Sequence, residues 1–154
     1  MNSQAAGTEA GQGGSRQSAE HVVPLVIELT GAQAVVDLGC GRGDWLAEFA
    51  RHGATSILGV DGPWVPATEL QIPQESFVGF DLCSPFRSER SFDLAVCLEV
   101  AEHLPASYAE TLVDSLIRLA PVILFSAAIP GQGGLHHLNE QWPDYWIERF
   151  RQRR

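Results

Sequence analysis

The 154-residue chain is expected to form one α/β domain built on a parallel sheet, and three observations lead there. Short apolar segments without polar alternation recur along the chain, separated by helical spacing or by crossovers. Glycines at every second position, Gly39, Gly41 and Gly43, join the first such segment directly to a helix. Acids stand at or just beyond the ends of the first three segments, at Asp37, Asp61 and Asp81. Strands alternating with helices through right-handed connections give a parallel sheet, whose ligand lies outside the carboxyl ends of the strands.

Residues 1–17 are mostly Gly, Ser, Gln and Ala, which bury too little apolar surface to offset ordering entropy, so a disordered tail is expected there. The domain is then residues 18–154. Ser18 suits a helix cap, and Val22, Val23, Leu25, Val26, Ile27 and Leu29 predict a helix to Thr30, with Pro24 kinking it or opening its second half. Gly31 ends it. Ala34 to Leu38 is a short apolar run, as suits a strand covered on both faces. After the glycine turn, Asp44 places a negative charge at a helix start, and Trp45, Leu46, Phe49 and Ala50 form its apolar stripe until Gly53. Thr55 to Val60 predicts a second strand ending in Asp61-Gly62, and Phe77 to Phe80 a third ending in Asp81. Pro63, Pro66 and Pro73 make the crossover between them short and irregular. Phe92 to Leu98 predicts a fourth strand, Pro105 to Leu119 a helix and Val122 to Ser126 a fifth strand.

Composition narrows the function. The net charge is −9 and every positive side chain is an arginine, so the molecule as a whole repels polyanions and acidic membranes. Nucleic acid is therefore disfavoured as a partner. Cys40, Cys83 and Cys97 form no CxxC pair, which points to free thiols in a reducing compartment. No apolar run approaches the roughly 20 residues of a membrane span, and no signal peptide is recognisable, so a cytoplasmic location is expected.

The turn also selects the ligand. A dinucleotide fingerprint would place glycine at Asp44, where a carboxylate would face a pyrophosphate. Here the pattern is Asp37-x-Gly39-x-Gly41-x-Gly43, with an acid able to hold an ammonium group. Asp61, a little over 20 residues beyond the turn, suits the two hydroxyls of a ribose. Ribose, adenine and an amino-acid tail fit better than a pyrophosphate.

From about Ser18 to Phe150 the chain resembles class I S-adenosylmethionine (SAM)-dependent methyltransferases. The segment from Phe92 to Leu104 is similar to the post-strand motif of the branch that contains the ubiquinone-pathway enzymes. The resemblance implies a Rossmann-like sheet and SAM as cofactor, with S-adenosylhomocysteine (SAH) as its product. It further implies that Gly39, Cys40, Gly41 and Gly43 hold the methionine part with Asp37 nearby. Asp61 with Gly62 would bind the ribose, Asp81 and the Leu82 N–H the adenine, and Leu98 would line the other side.

Methyl transfer is an in-line displacement that needs alignment and exclusion of water, and a base only where the acceptor loses a proton. Glu99, His103, His136 and His137 are the catalytic candidates. Were Glu99 to Leu104 a helical turn, Glu99, Glu102 and His103 would share a face, with His136 or His137 as a fourth ligand. That arrangement is similar to the metal-binding Glu-x-x-Glu-His of small-RNA 2′-hydroxyl methyltransferases. Capping of the helix near Pro105 and bonding of neighbouring loops are the favoured alternative for Glu99 and His103, so a divalent metal is not favoured.

Past the fifth strand, a loop containing Gly131, Gly133 and Gly134 is expected to close over the acceptor, with Trp142 and Trp146 on one apolar face of a helix. The family's C-terminal antiparallel hairpin is missing, so the expected sheet has about five strands and a bare fifth edge. A C-terminally truncated chain, or a homodimer or covering partner, would explain it. The leading expectation is methylation of an oxygen or nitrogen of a small molecule. The alternatives are a cofactor-binding module without catalysis and a metal-dependent RNA 2′-O-methyltransferase.

Overall fold

The structure is a computed structural model that describes residues 9–153. Five parallel strands form one sheet: β1 (Ala34–Leu38), β2 (Ser56–Asp61), β3 (Phe77–Gly79), β4 (Leu94–Leu98) and β5 (Val122–Ser126), in the order β3-β2-β1-β4-β5. The order reverses between β1 and β4, so a crevice opens at their carboxyl ends. Register brings the site together, with Asp37 opposite Gly59 and Val96, and Asp61 opposite Gly79.

On one face α1 (Glu9–Thr30) and α2 (Asp44–Arg51) bury Val23, Val26, Leu46 and Phe49 against Val35, Leu94 and Val96. On the other, α3 (Ala109–Leu119) and α4 (Pro143–Arg151) cover the sheet with Leu112, Val113, Leu116 and Trp146 against Val36, Leu38, Ala95 and Cys97. Val35 and Val36 thus enter opposite cores, which is why the strand reads as unbroken apolar sequence. Arg149 and Arg153 reach Glu110, and Arg153 also reaches Asp114, tying α4 to α3.

Several expectations change. Residues 1–8 of the expected tail lie outside the described residues, but residues 9–17 are helical and Ser18 lies inside α1. Once the apolar face between Ala19 and Val26 is packed, each residue added at its start gains a hydrogen bond without a new nucleus. Pro24 stays within the helix. Its missing donor costs least near the helix start, and here the helix has simply grown past it. The irregular crossover contains two 3₁₀ turns, Ala67–Glu69 and Gln74–Ser76. β4 starts at Leu94, because Asp93 is spent outside the ladder, its carboxylate accepting from the N–H groups of Gln33 and Ala34. Of the two tryptophans expected on an apolar helix face, Trp146 is buried against Phe125, while Trp142 is 58% exposed, outside α4 as its N-cap. Among the described residues β5 is a sheet edge, and between it and α4 runs a cavity of about 650 Å³ lined by Ile123, Phe125, Trp146 and Phe150.

Candidate functional site

The glycine turn is tied to both neighbours of the crevice. The N–H groups of Gly39 (2.7 Å) and Cys40 (3.2 Å) donate to the Val60 carbonyl, which fixes the turn on β2. The Asp61 carboxylate then receives Gly41 N–H on Oδ2 at 2.7 Å and Gly62 N–H on Oδ1 at 2.6 Å. Gly39 has φ +86°, and a Cβ there would collide with the side chain of Val100. Gly43, at φ +87°, is the N-cap of α2 with Ile72 packed against it. Glycine is required at both positions by backbone conformation and by close approach together.

Ile72 also covers Gly59 and is itself buried, so it fixes the turn through apolar contact rather than hydrogen bonds. Ile72→Val is expected to cost about 1 kcal/mol, a drop of roughly 3 °C in thermal unfolding. An unchanged midpoint would show that the crossover does not support the turn.

A cavity of about 250 Å³ opens above the turn, lined among others by Asp37, Gly41, Arg42, Trp45 and Leu98. Asp37 is 3% exposed, and burial, with the neighbouring Asp61 charge second, pushes its carboxyl up to about 8. The cavity therefore presents a buried acid that forms no ion pair among the described residues, beside a second acid whose oxygens face backbone donors. A Cβ at Gly41 would meet nothing within 4 Å, so the backbone there is open to a ligand. This donor set fits the amino-acid tail and ribose of SAM. Cys40 is buried against Gly59, and burial, with the charges of Asp37 and Asp61 adding to it, drives its thiol far above the ordinary range, so it offers packing rather than a nucleophile. Leu82 is buried, and Asp81 accepts from Cys83 N–H at 2.9 Å, the hydrogen bond of a local turn.

The second cluster lies just beyond β4. Glu99 takes φ +55°, and its carboxylate accepts from the Ser126 hydroxyl at 2.7 Å and from Gln132 Nε2 at 3.4 Å. Ala101–His103 follows as a 3₁₀ turn, which overturns the expected shared face: Glu99 is exposed while Glu102 points inward at 0% exposure. Of the structural alternative, capping of α3 fails, since its N-cap is Tyr108 without a side-chain bond, whereas the expected bonding of neighbouring loops is seen in the Glu99 contacts to Ser126 and Gln132. The rings of His103 and His137 meet edge to face with centroids 5.0 Å apart. His136, at φ +61°, is exposed and contributes its backbone to a hydrogen bond with His103. Burial raises the Glu102 carboxyl and lowers His103 from their ordinary values.

Sequence reasoning missed Glu140 as the organiser of the loop between β5 and α4. Its carboxylate accepts from Gly131 and Gly133 N–H, both at 2.9 Å, and meets His137 Nδ1 at 2.9 Å, so it lies below the usual carboxylate range, the His137 bond contributing most. Leu138 and Asn139 N–H both donate to the Glu102 carbonyl, docking the loop on the end of β4. The His-x-x-Glu spacing was the available signal. Val100 and Ile72 gave none, being ordinary apolar residues until the fold set them against glycines.

The sequence profile of the family described as "Methyltransferase domain" matches residues 14–153. No curated protein matches the chain by sequence. Among solved structures, Streptomyces venezuelae DesVI is similar at 20% identity and a TM-score of 0.64, covering 77% of this chain and 53% of its own. The Synechocystis magnesium protoporphyrin IX methyltransferase with bound SAH is 19% identical with a TM-score of 0.65, covering 96% and 77%. Human N-acetylserotonin methyltransferase in complex with SAM is 17% identical with a TM-score of 0.60, covering 89% and 48%. The chain thus spans about half the length of two of these proteins. The likeness extends to the Rossmann-like sheet and its helices. Among the described residues no helix is long and apolar enough to cross a membrane.

Proposed function

The chain belongs to the methyltransferase-domain family, and from that premise we propose that it transfers the methyl group of SAM to an oxygen or nitrogen of a small molecule. The observation that carries this reading is the pairing of two acids around one glycine turn: Asp37 buried at the cavity wall, and Asp61 holding Gly41 and Gly62 N–H. When bound, the cofactor supplies an electrophilic methyl on a sulfonium. Asp37 holds the ammonium of the amino-acid tail, the open backbone at Gly41 lies along that tail, and the free lone pairs of Asp61 accept from the ribose hydroxyls. Asp81 and the Leu82 N–H face the adenine. Leu98 and Trp45 exclude water from the reacting end.

On the acceptor side Glu99 follows directly on Leu98, and its carboxylate is held by Ser126 and Gln132 while remaining exposed. It orients the acceptor by receiving its O–H or N–H. The net charge of −9 favours a small acceptor over a polyanion.

Two measurements test the reading. Calorimetry with SAH is expected to show binding; no detectable binding overturns the cofactor assignment. Label from methyl-labelled SAM is then expected in the small-molecule fraction of a cell extract. Label in the RNA fraction overturns the acceptor class, and binding without transfer to either fraction leaves a binding module instead of an enzyme.

A further inference from the structure

The cavity of about 650 Å³ between β5 and α4 is apolar along its length and polar at its two ends. Its walls are Ile123 and Phe125 from the strand and Trp146, Ile147 and Phe150 from the helix. Phe125 meets the rings of Trp146 and Phe150 at centroid distances of 5.2 and 5.3 Å, so the walls are chiefly aromatic. Arg149 and Arg153 tie α4 to α3, and Gln141 N–H donates to the Ala128 carbonyl at 3.2 Å just ahead of the helix. α4 is thus held at both ends, and the space beside it is a fixed gap. A mainly apolar gap of this volume with a few polar groups is in the range of small-molecule sites.

The two ends differ in chemistry. At the first, Ser126 lines the cavity, and its hydroxyl donates to the Glu99 carboxylate at 2.7 Å. Ser126 is the register partner of Leu98, which lines the cofactor cavity, so the two cavities open one strand spacing apart, about 5 Å. α4 starts beside this end and runs back along β5 to the second end, where Arg151 lines the cavity. The length of the helix puts the two ends about 12 Å apart. Arg151 is exposed and, unlike Arg149 and Arg153, forms no ion pair among the described residues. An arginine without an acid at the end of an apolar cavity selects an anion, and its planar fork suits a carboxylate. Trp146 adds a buried indole N–H that has no partner among the described residues, a donor that a ligand oxygen would satisfy.

We propose that this cavity holds the body of the methyl acceptor and that the acceptor is an aromatic hydroxy acid. Its hydroxyl lies at the Ser126 end, its rings between Phe125, Trp146 and Phe150, and its carboxylate at Arg151. Edge-to-face contact with three aromatic side chains favours a flat ring over an alkyl chain. The proposal rests on the methyltransferase reading of the cofactor cavity. The acceptor oxygen bonds the methyl carbon as the carbon–sulfur bond breaks with its electron pair left on sulfur, which gives SAH. The hydroxyl proton passes to Glu99, whose exposed carboxylate releases it to water.

Two fluorescent probes of one skeleton test the cavity without methyl transfer: 8-anilinonaphthalene-1-sulfonate, and N-phenyl-1-naphthylamine, which lacks the sulfonate. The sulfonate is expected to bind the full chain saturably. Arg151→Ala should weaken it about fivefold and leave the neutral probe within about twofold. Ile147→Glu, at a position 41% exposed that tolerates the change, should weaken both probes about tenfold or more. SAH calorimetry should be unchanged in both variants. With labelled SAM, 6-hydroxy-2-naphthoate should be methylated with a higher kcat/KM than 2-naphthol, a preference lost in Arg151→Ala. Sulfonate binding unaffected by either variant, equal transfer to the acid and to the neutral naphthol, or transfer to neither despite SAH binding would overturn the proposal. So would a dimer in light scattering that excludes the sulfonate and dissociates in Ile147→Glu, since a second copy would then fill the cavity. Probe binding as expected without any SAH binding would refute the cofactor reading instead, and leave a site for aromatic acids.

Discussion

Asp61→Ala is expected to weaken SAH binding at least about a hundredfold, measured by calorimetry with the fold checked by thermal unfolding. Hydrogen bonds to a charged group contribute about 1.5–3 kcal/mol each, so losing two to a ribose is enough for that factor. The substitution has a second consequence that sequence alone would not suggest. Asp61 also receives Gly41 and Gly62 N–H, so its removal frees the turn as well as the ribose site. Asp61→Asn keeps one acceptor oxygen and should retain an intermediate affinity. Binding within threefold of the unsubstituted protein in the alanine variant would mean that Asp61 serves the turn alone.

SAH affinity is expected to rise with pH up to about 8, by as much as tenfold per unit. Unliganded, Asp37 holds its proton until about pH 8 because burial and the Asp61 charge penalise the carboxylate. Holding an ammonium needs that carboxylate ionised, so below pH 8 binding must expel a proton. Above pH 8 Asp37 is already ionised in the unliganded protein, so binding expels no proton and the gain ends. Stability of the unliganded protein runs the other way. Between the ordinary aspartate value near 3.9 and about 8 the folded state binds more protons than the unfolded state, so stability falls as pH rises, by up to about 1.4 kcal/mol per unit. Calorimetry and thermal unfolding across pH 5 to 8 measure both slopes. Asp37→Asn should flatten each; slopes unchanged in that variant would assign the linkage to another group.

How far the sequence carried differs between the two clusters for a physical reason. The cofactor side is made of contiguous backbone: β1, the turn and the start of α2 are consecutive, and Gly39, Gly41 and Gly43 declare positive φ by being glycine. Asp61 and Asp81 follow at strand ends, where parallel topology must bring them to one side. Boundaries shifted at strand ends, as at Asp93, which binds Gln33 and Ala34 N–H, and at the helix expected from Pro105, where Ala106–Tyr108 forms a 3₁₀ turn ahead of α3 at Ala109. The early part of α1 was lost to low local propensity, which packing further along the helix overrode. Trp142 and Trp146 share a spacing, but only Trp146 lies beyond the start of α4 and faces Phe125.

By itself, then, the sequence determined the parallel α/β sheet, the glycine turn and the acids ranged along its crevice, because these depend on chain order and on residue types with few conformational choices. Only the tertiary structure decided which of Glu99, Glu102, His103, His136 and His137 meet. A left-handed residue at Glu99 and a 3₁₀ turn after it send Glu99 outward and Glu102 inward, and Glu140 delivers His137 from 34 residues beyond His103. Such a meeting rests on loop backbone and contacts distant in sequence, which no local periodicity encodes.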